Sequence, residues 1–102
     1  MDIDRYAAWA AEIPVGTPPL KDGAELLSYL CLGLTGEAGE VADIVKRRLR
    51  DGQWSADAAA DELGDVAYYF ARLCAAIGRK PSDILDRNAA KIEARVRSSS
   101  PT

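Results

Sequence analysis

Apolar residues recur every three to four positions along most of the chain, which is the spacing that places them on one face of an α-helix. No stretch alternates β-branched and polar residues for long enough to predict a strand. The helix-favouring residues Ala, Leu, Glu, Arg and Lys predominate instead. The pattern therefore predicts an all-α protein built from four helices.

The first half of the chain is predicted to form two of these helices. The first covers residues 3–13 and ends at Pro14, after which a loop rich in proline and glycine denies the chain regular structure. The second begins at Asp22, an N-cap residue whose capping-box partner is Glu25, and runs to about Asp51. A glycine then stops it.

The second half is predicted to form the other two helices. The third begins near Ser55 and is closed by Gly78, a residue type that suits the left-handed position after a helix end. Pro81 fits the first turn of the fourth helix, which runs to about Arg97.

Helices two and three are apolar on more than one side. Their apolar residues are Leu26, Leu27, Leu30, Leu34, Val41, Ile44 and Val45 in helix two and Leu63, Val66, Phe70, Leu73 and Ile77 in helix three. Two short partner helices cannot cover all of these within one chain. We therefore expect a homodimer or homotetramer that completes a four-helix bundle.

The composition is that of a soluble globular protein with one domain. The chain has 102 residues, of which 48% are hydrophobic and 28% charged, and this length has room for a single modest core. We expect one helical domain over residues 1–97 and a disordered tail over residues 98–102. Cys31 and Cys74 each lie in an apolar helical pattern, so we expect two buried free thiols.

Charge and hydropathy exclude two classes of partner. The net charge of −3 argues against a nucleic-acid partner, because neutralising phosphates requires an excess of Lys and Arg. No apolar stretch reaches the roughly 20 residues that a membrane span requires. We therefore expect a cytoplasmic protein that binds no membrane.

The chain contains no histidine. This absence removes the commonest general base and the usual zinc ligand. A bound metal would have to be held by oxygen atoms, which favours a hard ion such as Mg²⁺ or Mn²⁺.

Two pairs of acidic residues interrupt the apolar sides of the long helices. Glu37 and Glu40 are three positions apart, so they point to the same side of helix two. Glu62 and Asp65 repeat this spacing in helix three. Two antiparallel helices packed face to face can gather the four carboxylates around one point, where their charges repel unless a cation neutralises them.

A simpler interpretation is that these carboxylates lie on solvated faces. The acidic residues at the start of helix three would then favour the positive end of its dipole, and the glutamates of helix two would pair with Lys46 or Arg72. The repetition of the pair on successive helices favours a metal site. So do three nearby glycines, which are unfavourable inside helices and usually mark close approach: Gly36, Gly39 and Gly64.

Three segments, "GEAGEVADIVKR", "DELGDVAYYFARL" and "NAAKIEAR", together resemble the MazG-like all-α nucleoside triphosphate pyrophosphohydrolase superfamily over about residues 25–96. The signature of that superfamily is ExxE, a spacer and ExxD, which match Glu37 and Glu40, then Glu62 and Asp65. Fuller versions of the motif open with two adjacent glutamates, where this chain has a glycine. The resemblance implies a MazG-like bundle that cleaves an NTP or dNTP to the monophosphate and pyrophosphate, with a role in nucleotide-pool cleaning.

The resemblance also implies roles for the acidic residues. The four carboxylates would hold Mg²⁺, with Mn²⁺ as a substitute. Glu40, Glu62 and Asp65 would be the first ligands, and Glu37 would be a further ligand or the base that orients the attacking water. Glu37 and Glu40 are thus the predicted catalytic residues.

Further residues would bind the substrate. The superfamily pattern NxxKxxxR matches Asn88, Lys91 and Arg95, of which the first two would reach the phosphates, within the chain or across a subunit boundary. Lys46 is a further candidate for the phosphates, and Tyr69 matches an aromatic residue near the sugar or base. Trp54 is predicted either to stack on a base or to pack over a helix end.

Two rival functions remain open at this point. The first is a related enzyme, a phosphoribosyl-ATP pyrophosphohydrolase, which shares the architecture. The second is a helical oligomerisation or nucleotide-sensing module that turns nothing over.

Overall fold

The computed structural model describes residues 1–16, 18–20 and 23–99. These residues contain helices and no strand, so the prediction of an all-α protein is confirmed. The helices are α1 (Ile3–Ala10), α2 (Gly23–Asp51), α3 (Ala56–Ala76) and α4 (Pro81–Ser98).

Helix α1 ends at Ala10, so the prediction that it continues to Ile13 is wrong. The amides of Glu12 and Ile13 donate to carbonyls three residues back, at 3.2 and 3.1 Å, which is the tighter pattern found where a helix unwinds. The guanidinium of Arg72 on α3 donates to the carbonyls of Ala10 and Ile13. A long-range contact therefore holds the chain in this turn before Pro14 is reached.

Helix α2 runs from Gly23 to Asp51, and its predicted end is confirmed. Gly52 follows with a φ of +80°, a left-handed conformation that L side chains rarely adopt, and this conformation ends the helix. The predicted N-cap, Asp22, lies outside the described residues.

Helices α3 and α4 begin and end close to the predicted positions. The hydroxyl of Ser55 accepts a hydrogen bond from the Ala58 amide at 3.1 Å and caps α3. Gly78 has a φ of +72° and closes the C-terminal end of that helix. Pro81 is the first residue of α4, where its missing N–H costs nothing, and Ser98 is the last.

Helix α4 is anchored to α1 through its first turn. Its N-cap residue, Lys80, makes no side-chain capping bond. Instead the carboxylate of Asp4 accepts hydrogen bonds from the amide and the hydroxyl of Ser82, at 3.0 and 2.6 Å. Of the predicted disordered tail, Ser98 is helical, and residues 100–102 lie outside the described residues.

The core lies mainly between α2 and α3, which form the largest helix–helix contact. Leu30 and Cys74 are its largest fully buried side chains. Cys31 is exposed, so the prediction of a buried thiol is confirmed for Cys74 and wrong for Cys31. The difference arises because Leu30 points at α3 and the next residue along a helix is turned about 100° away.

Much of the apolar surface on the long helices is not covered by this chain. Leu32 is 74% exposed and Leu49 is 85% exposed, while the predicted apolar face of α2 is buried only at Leu30 and Ile44. The radius of gyration is 16.7 Å, against about 13 Å for a compact domain of this length. Among the described residues, no helix has the length and apolarity to cross a membrane.

Candidate metal centre

Helices α2 and α3 form an antiparallel hairpin, because the connection between them covers only residues 52–55. Two contacts fix its register. Gly33 on α2 lies against Tyr69 on α3, and one turn further along α2 Glu37 lies beside Glu62. The hairpin therefore places one member of the first acidic pair, Glu37, beside the second pair, Glu62 and Asp65.

Three carboxylates meet between the two helices: Glu37 from α2 and Glu62 and Asp65 from α3. One carboxylate oxygen from each lies within 4.8 Å of the other two. Glu37 and Glu62 are half-buried and Asp65 is exposed, so the group is open to solvent on one side. We refer to these residues as the three-carboxylate group.

Mutual repulsion shapes the electrostatics of this group. The hydrogen bond with Glu37 contributes most to raising the pKa of the Glu62 carboxyl. Burial comes next, followed by the neighbouring charges, those of Glu37, Asp65 and Glu40. Crowded carboxylates favour taking up a proton or a cation, because either one reduces the repulsion. A bound proton or cation would therefore lower the electrostatic repulsion within the group.

The donor set suits a hard divalent cation. All three residues offer oxygen ligands. Around one octahedral Mg²⁺ with Mg–O distances of about 2.0–2.1 Å, neighbouring oxygens lie about 3 Å apart and opposite oxygens about 4 Å apart. The oxygens of the group lie within 4.8 Å of one another, so side-chain rotations that draw them together would be needed to hold a single ion.

Glu40, the fourth predicted ligand, is exposed and lies outside the group of oxygens within 4.8 Å. It is nevertheless close, since its charge contributes to the raised pKa of Glu62. The structure therefore brings three of the four predicted carboxylates together and places the fourth at the edge.

The alternative pairing of these carboxylates with basic residues is not what the structure shows. Lys46 lies 3.5 Å from Asp43 on its own helix. Arg72 is buried and donates to the carbonyls of α1. Among the described residues, no ion pair involves the three-carboxylate group or Glu40.

The glycines expected to mark close approach are the wrong ones. A Cβ atom placed on any of them would meet nothing within 4 Å in this chain: Gly36, Gly39 and Gly64. Close approach occurs at Gly33, where a Cβ atom would lie 2.5 Å from Cζ of Tyr69. The predicted glycines lie on helix sides that α2 and α3 do not turn toward each other.

Tyr69 lies beside the three-carboxylate group, half-buried over Gly33. Its ring meets the edge of the Tyr68 ring at a centroid distance of 5.2 Å and an angle of 82°. Burial raises the pKa of the Tyr69 hydroxyl most, followed by the charges of Tyr29 and Glu37. Tyr69 is therefore next to the predicted metal ligands and is packed into the hairpin.

Lys46 and Trp54 lie toward the end of the hairpin where residues 52–55 connect α2 and α3. Lys46 is nine positions beyond Glu37 on α2, which is about 14 Å along the helix axis. The guanidinium of Arg48 lies 5.2 Å from the centroid of the half-exposed Trp54 ring, as in a cation–π pair. Trp54 also lines a cavity of about 150 Å³ with Ile44, Arg47, Gln53, Ser55 and Ala58.

The predicted phosphate ligands on α4 are not brought to the carboxylates within one chain. Asn88, Lys91 and Arg95 are all exposed, and α4 packs against α1 and α3 without contacting α2. Asn88 and Lys91 line a groove of about 570 Å³ together with Ile77, Ile84 and Arg87. Their placement across a subunit boundary stays a prediction.

Sequence reasoning missed Gly33 and the partners of Arg72. Gly33 is four positions before Glu37, and Tyr69 is four positions after Asp65, so helical spacing alone places each on the side of its carboxylate. Arg72 was recognisable as a single charge in the apolar segment "YYFARLCAAIG". Its carbonyl partners are distant in sequence, and nothing in the pattern indicates them.

The fold and this site define an all-α protein with an acidic centre in a helical hairpin. Comparison with known proteins gives a 42% identity over 100 residues with the Gene 37 protein of Mycobacterium phage L5, covering 93% of this chain and 87% of that protein. The chain therefore belongs to the family of that phage protein, whose name states no activity. No protein-family model and no solved structure matches the chain.

Proposed function

We propose that the protein is a Mg²⁺-dependent nucleoside triphosphate pyrophosphohydrolase that cleaves an NTP or dNTP to the monophosphate and pyrophosphate. The observation that carries the proposal is the three-carboxylate group, whose oxygens approach within 4.8 Å of one another across the α2–α3 hairpin. These are the positions of the ExxE and ExxD signature. The proposed role is nucleotide-pool cleaning in the cytoplasm.

The acidic residues would have two roles, which are to hold a cation and to orient a water molecule. Glu62, Asp65 and Glu37 would hold Mg²⁺, with Glu40 turning in from the exposed edge. When bound, Mg²⁺ would neutralise charge on the triphosphate and lower the pKa of a water molecule. Glu37 or Glu40 would accept a hydrogen bond from the attacking water and take up its proton, a role that suits a chain without histidine.

The α4 residues of the proposed site would need a second copy of the chain. The exposed apolar residues, among them Leu49 and Leu32, support a homodimer or homotetramer. In such an assembly the α4 residues Asn88, Lys91 and Arg95 of one chain would reach the phosphates held by another. Light scattering after size exclusion tests this part, and a stable monomer would contradict it.

The activity is tested by a pyrophosphate-release screen over the common NTPs and dNTPs with Mg²⁺ or Mn²⁺. Asp65→Asn and Glu40→Gln are expected to abolish release. Asp61→Asn is the matched control, because Asp61 is an exposed carboxylate of the same helix outside the three-carboxylate group. Equal release from the wild type and Asp65→Asn would refute the proposed site.

The same screen separates the rival functions. Phosphoribosyl-ATP is included as a substrate, and preferential turnover of it would identify the related pyrophosphohydrolase. If a folded wild type binds nucleotide and releases no pyrophosphate from any substrate, the enzymatic proposal fails in favour of a sensing module.

A further inference from the structure

The ring of Tyr69 fills the space beside the backbone of Gly33. A Cβ atom at residue 33 would lie 2.5 Å from Cζ and 2.6 Å from Cδ1 of this ring, which is closer than real Cβ contacts. Any residue larger than glycine would therefore displace the ring or push the two helices apart. The contact fixes how closely α2 and α3 approach at this level of the hairpin.

This level is one helical turn from the three-carboxylate group on both helices. Gly33 precedes Glu37 by four positions, and Tyr69 follows Asp65 by four positions. Residues four apart lie on the same side of a helix and about 6 Å apart along its axis. A change in the separation of α2 and α3 at the Gly33 contact would therefore also change the distance between the carboxylates of the two helices.

The Tyr69 ring also contacts a second aromatic ring. The neighbouring Tyr68 ring meets it edge-on at 5.2 Å, and the guanidinium of Arg72 lies 5.9 Å from the Tyr68 ring centroid. Arg72 is fixed by its hydrogen bonds to the carbonyls of Ala10 and Ile13 in α1. The ring against Gly33 is thus supported by contacts that extend to α1.

We propose that Tyr69, seated against Gly33, is a positioning residue for the three-carboxylate group. Its ring sets the separation of α2 and α3, and this separation sets the distance from Glu37 to the two carboxylates of α3. Oxygen ligands of Mg²⁺ are held to within tenths of an ångström, so a small change in separation lowers cation affinity. The inference rests on the proposed function.

The test measures Mn²⁺ affinity by electron paramagnetic resonance of the free aqueous ion. Gly33→Ala is compared with Gly36→Ala, which is the same substitution in the same helix at a position where a Cβ atom meets nothing within 4 Å. We expect Gly33→Ala to weaken Mn²⁺ binding about 10-fold or more, as is typical when a residue that orients ligands is changed. Gly36→Ala should bind as the wild type does.

A second pair of variants covers the case in which Gly33→Ala does not fold. Tyr69→Phe keeps the ring and should keep the Mn²⁺ affinity, while Tyr69→Leu removes the ring and should weaken it. The Hα protons of Gly33 should show an upfield ring-current shift in the wild type and in Tyr69→Phe, and not in Tyr69→Leu. This signal reports the contact without any metal.

The outcomes separate the two proposals. If the contact is purely structural, the variants will lose stability without metal, but the folded variants will bind Mn²⁺ as tightly as the wild type. That result would overturn the positioning role of Tyr69 and leave the proposed metal site standing. Failure of the wild type to bind Mn²⁺ would overturn the metal site and with it this inference. The Gly33 shift would then persist as a feature of packing.

Discussion

Replacement of Arg72 by methionine should detach α1 from the helical hairpin. The Arg72 side chain is 8% exposed, and it is the one buried charged residue among those the structure describes. Its Nη1 atom donates to the Ala10 carbonyl and, at 2.6 Å, to the Ile13 carbonyl. Methionine keeps much of the length and apolar volume of the side chain and removes the donors.

The expected loss follows from these two bonds. A hydrogen bond to a charged group contributes about 1.5–3 kcal/mol, so two contribute about 3–6 kcal/mol. Methionine recovers part of this, because the buried guanidinium no longer has to be desolvated. We expect a net loss of about 3 kcal/mol, which is a large part of a total stability of about 5–15 kcal/mol.

The loss is measured by urea unfolding followed by circular dichroism, at one protomer concentration for all variants. The control is Arg87→Met, because Arg87 is an exposed helical arginine, and its replacement should change stability by less than about 0.5 kcal/mol. Hydrogen exchange of the α1 amides should also accelerate in Arg72→Met, since that helix loses its anchor. A loss below about 1 kcal/mol with unchanged exchange would refute the anchoring role.

Three further predictions follow from the same structure. Mg²⁺ should raise the thermal midpoint of the wild type and leave that of Asp65→Asn unchanged, because the ion stabilises only a folded state that binds it; no shift in the wild type would contradict the metal site. The Ser82 hydrogen bonds lower the pKa of Asp4 from its usual 3.8. The wild type should therefore lose stability as the pH falls below that value, and Asp4→Asn should lose less. Urea midpoints measured on either side of pH 3.8 check this. Gly36→Ala should add about 0.5–1 kcal/mol of stability in the same assay, since alanine favours the helix and its Cβ meets open space; a loss would show that a second chain packs there.

The helix ends were predictable wherever a local signal fixes them. Ser55 caps α3 with its own hydroxyl, and Gly52 and Gly78 adopt the left-handed conformation that ends a helix. The end of α1 was not predictable, because it depends on Arg72, a residue far away in sequence. Pro14 marked the latest point at which the helix could stop and not the point at which it does.

The candidate site was predictable to a similar extent. Three of its four acidic residues come together, because a three-residue spacing fixes the side of a helix on which they lie. The prediction that Gly36, Gly39 and Gly64 mark close helix approach was wrong. Composition shows which residues permit close approach, but it does not show which side of a helix meets a neighbour. Gly33 is the position where the approach occurs.

The sequence by itself determined the number of helices, most of their ends and the sides on which the acidic residues lie, because helix periodicity and capping act over a few residues. Only the tertiary structure decided that Arg72 anchors α1, that Cys31 is exposed and that Tyr69 packs on Gly33. Each of these depends on the rotation and register of one helix against another. Those are set by the packing of the whole hairpin, since every side chain in a close-packed contact limits its neighbours.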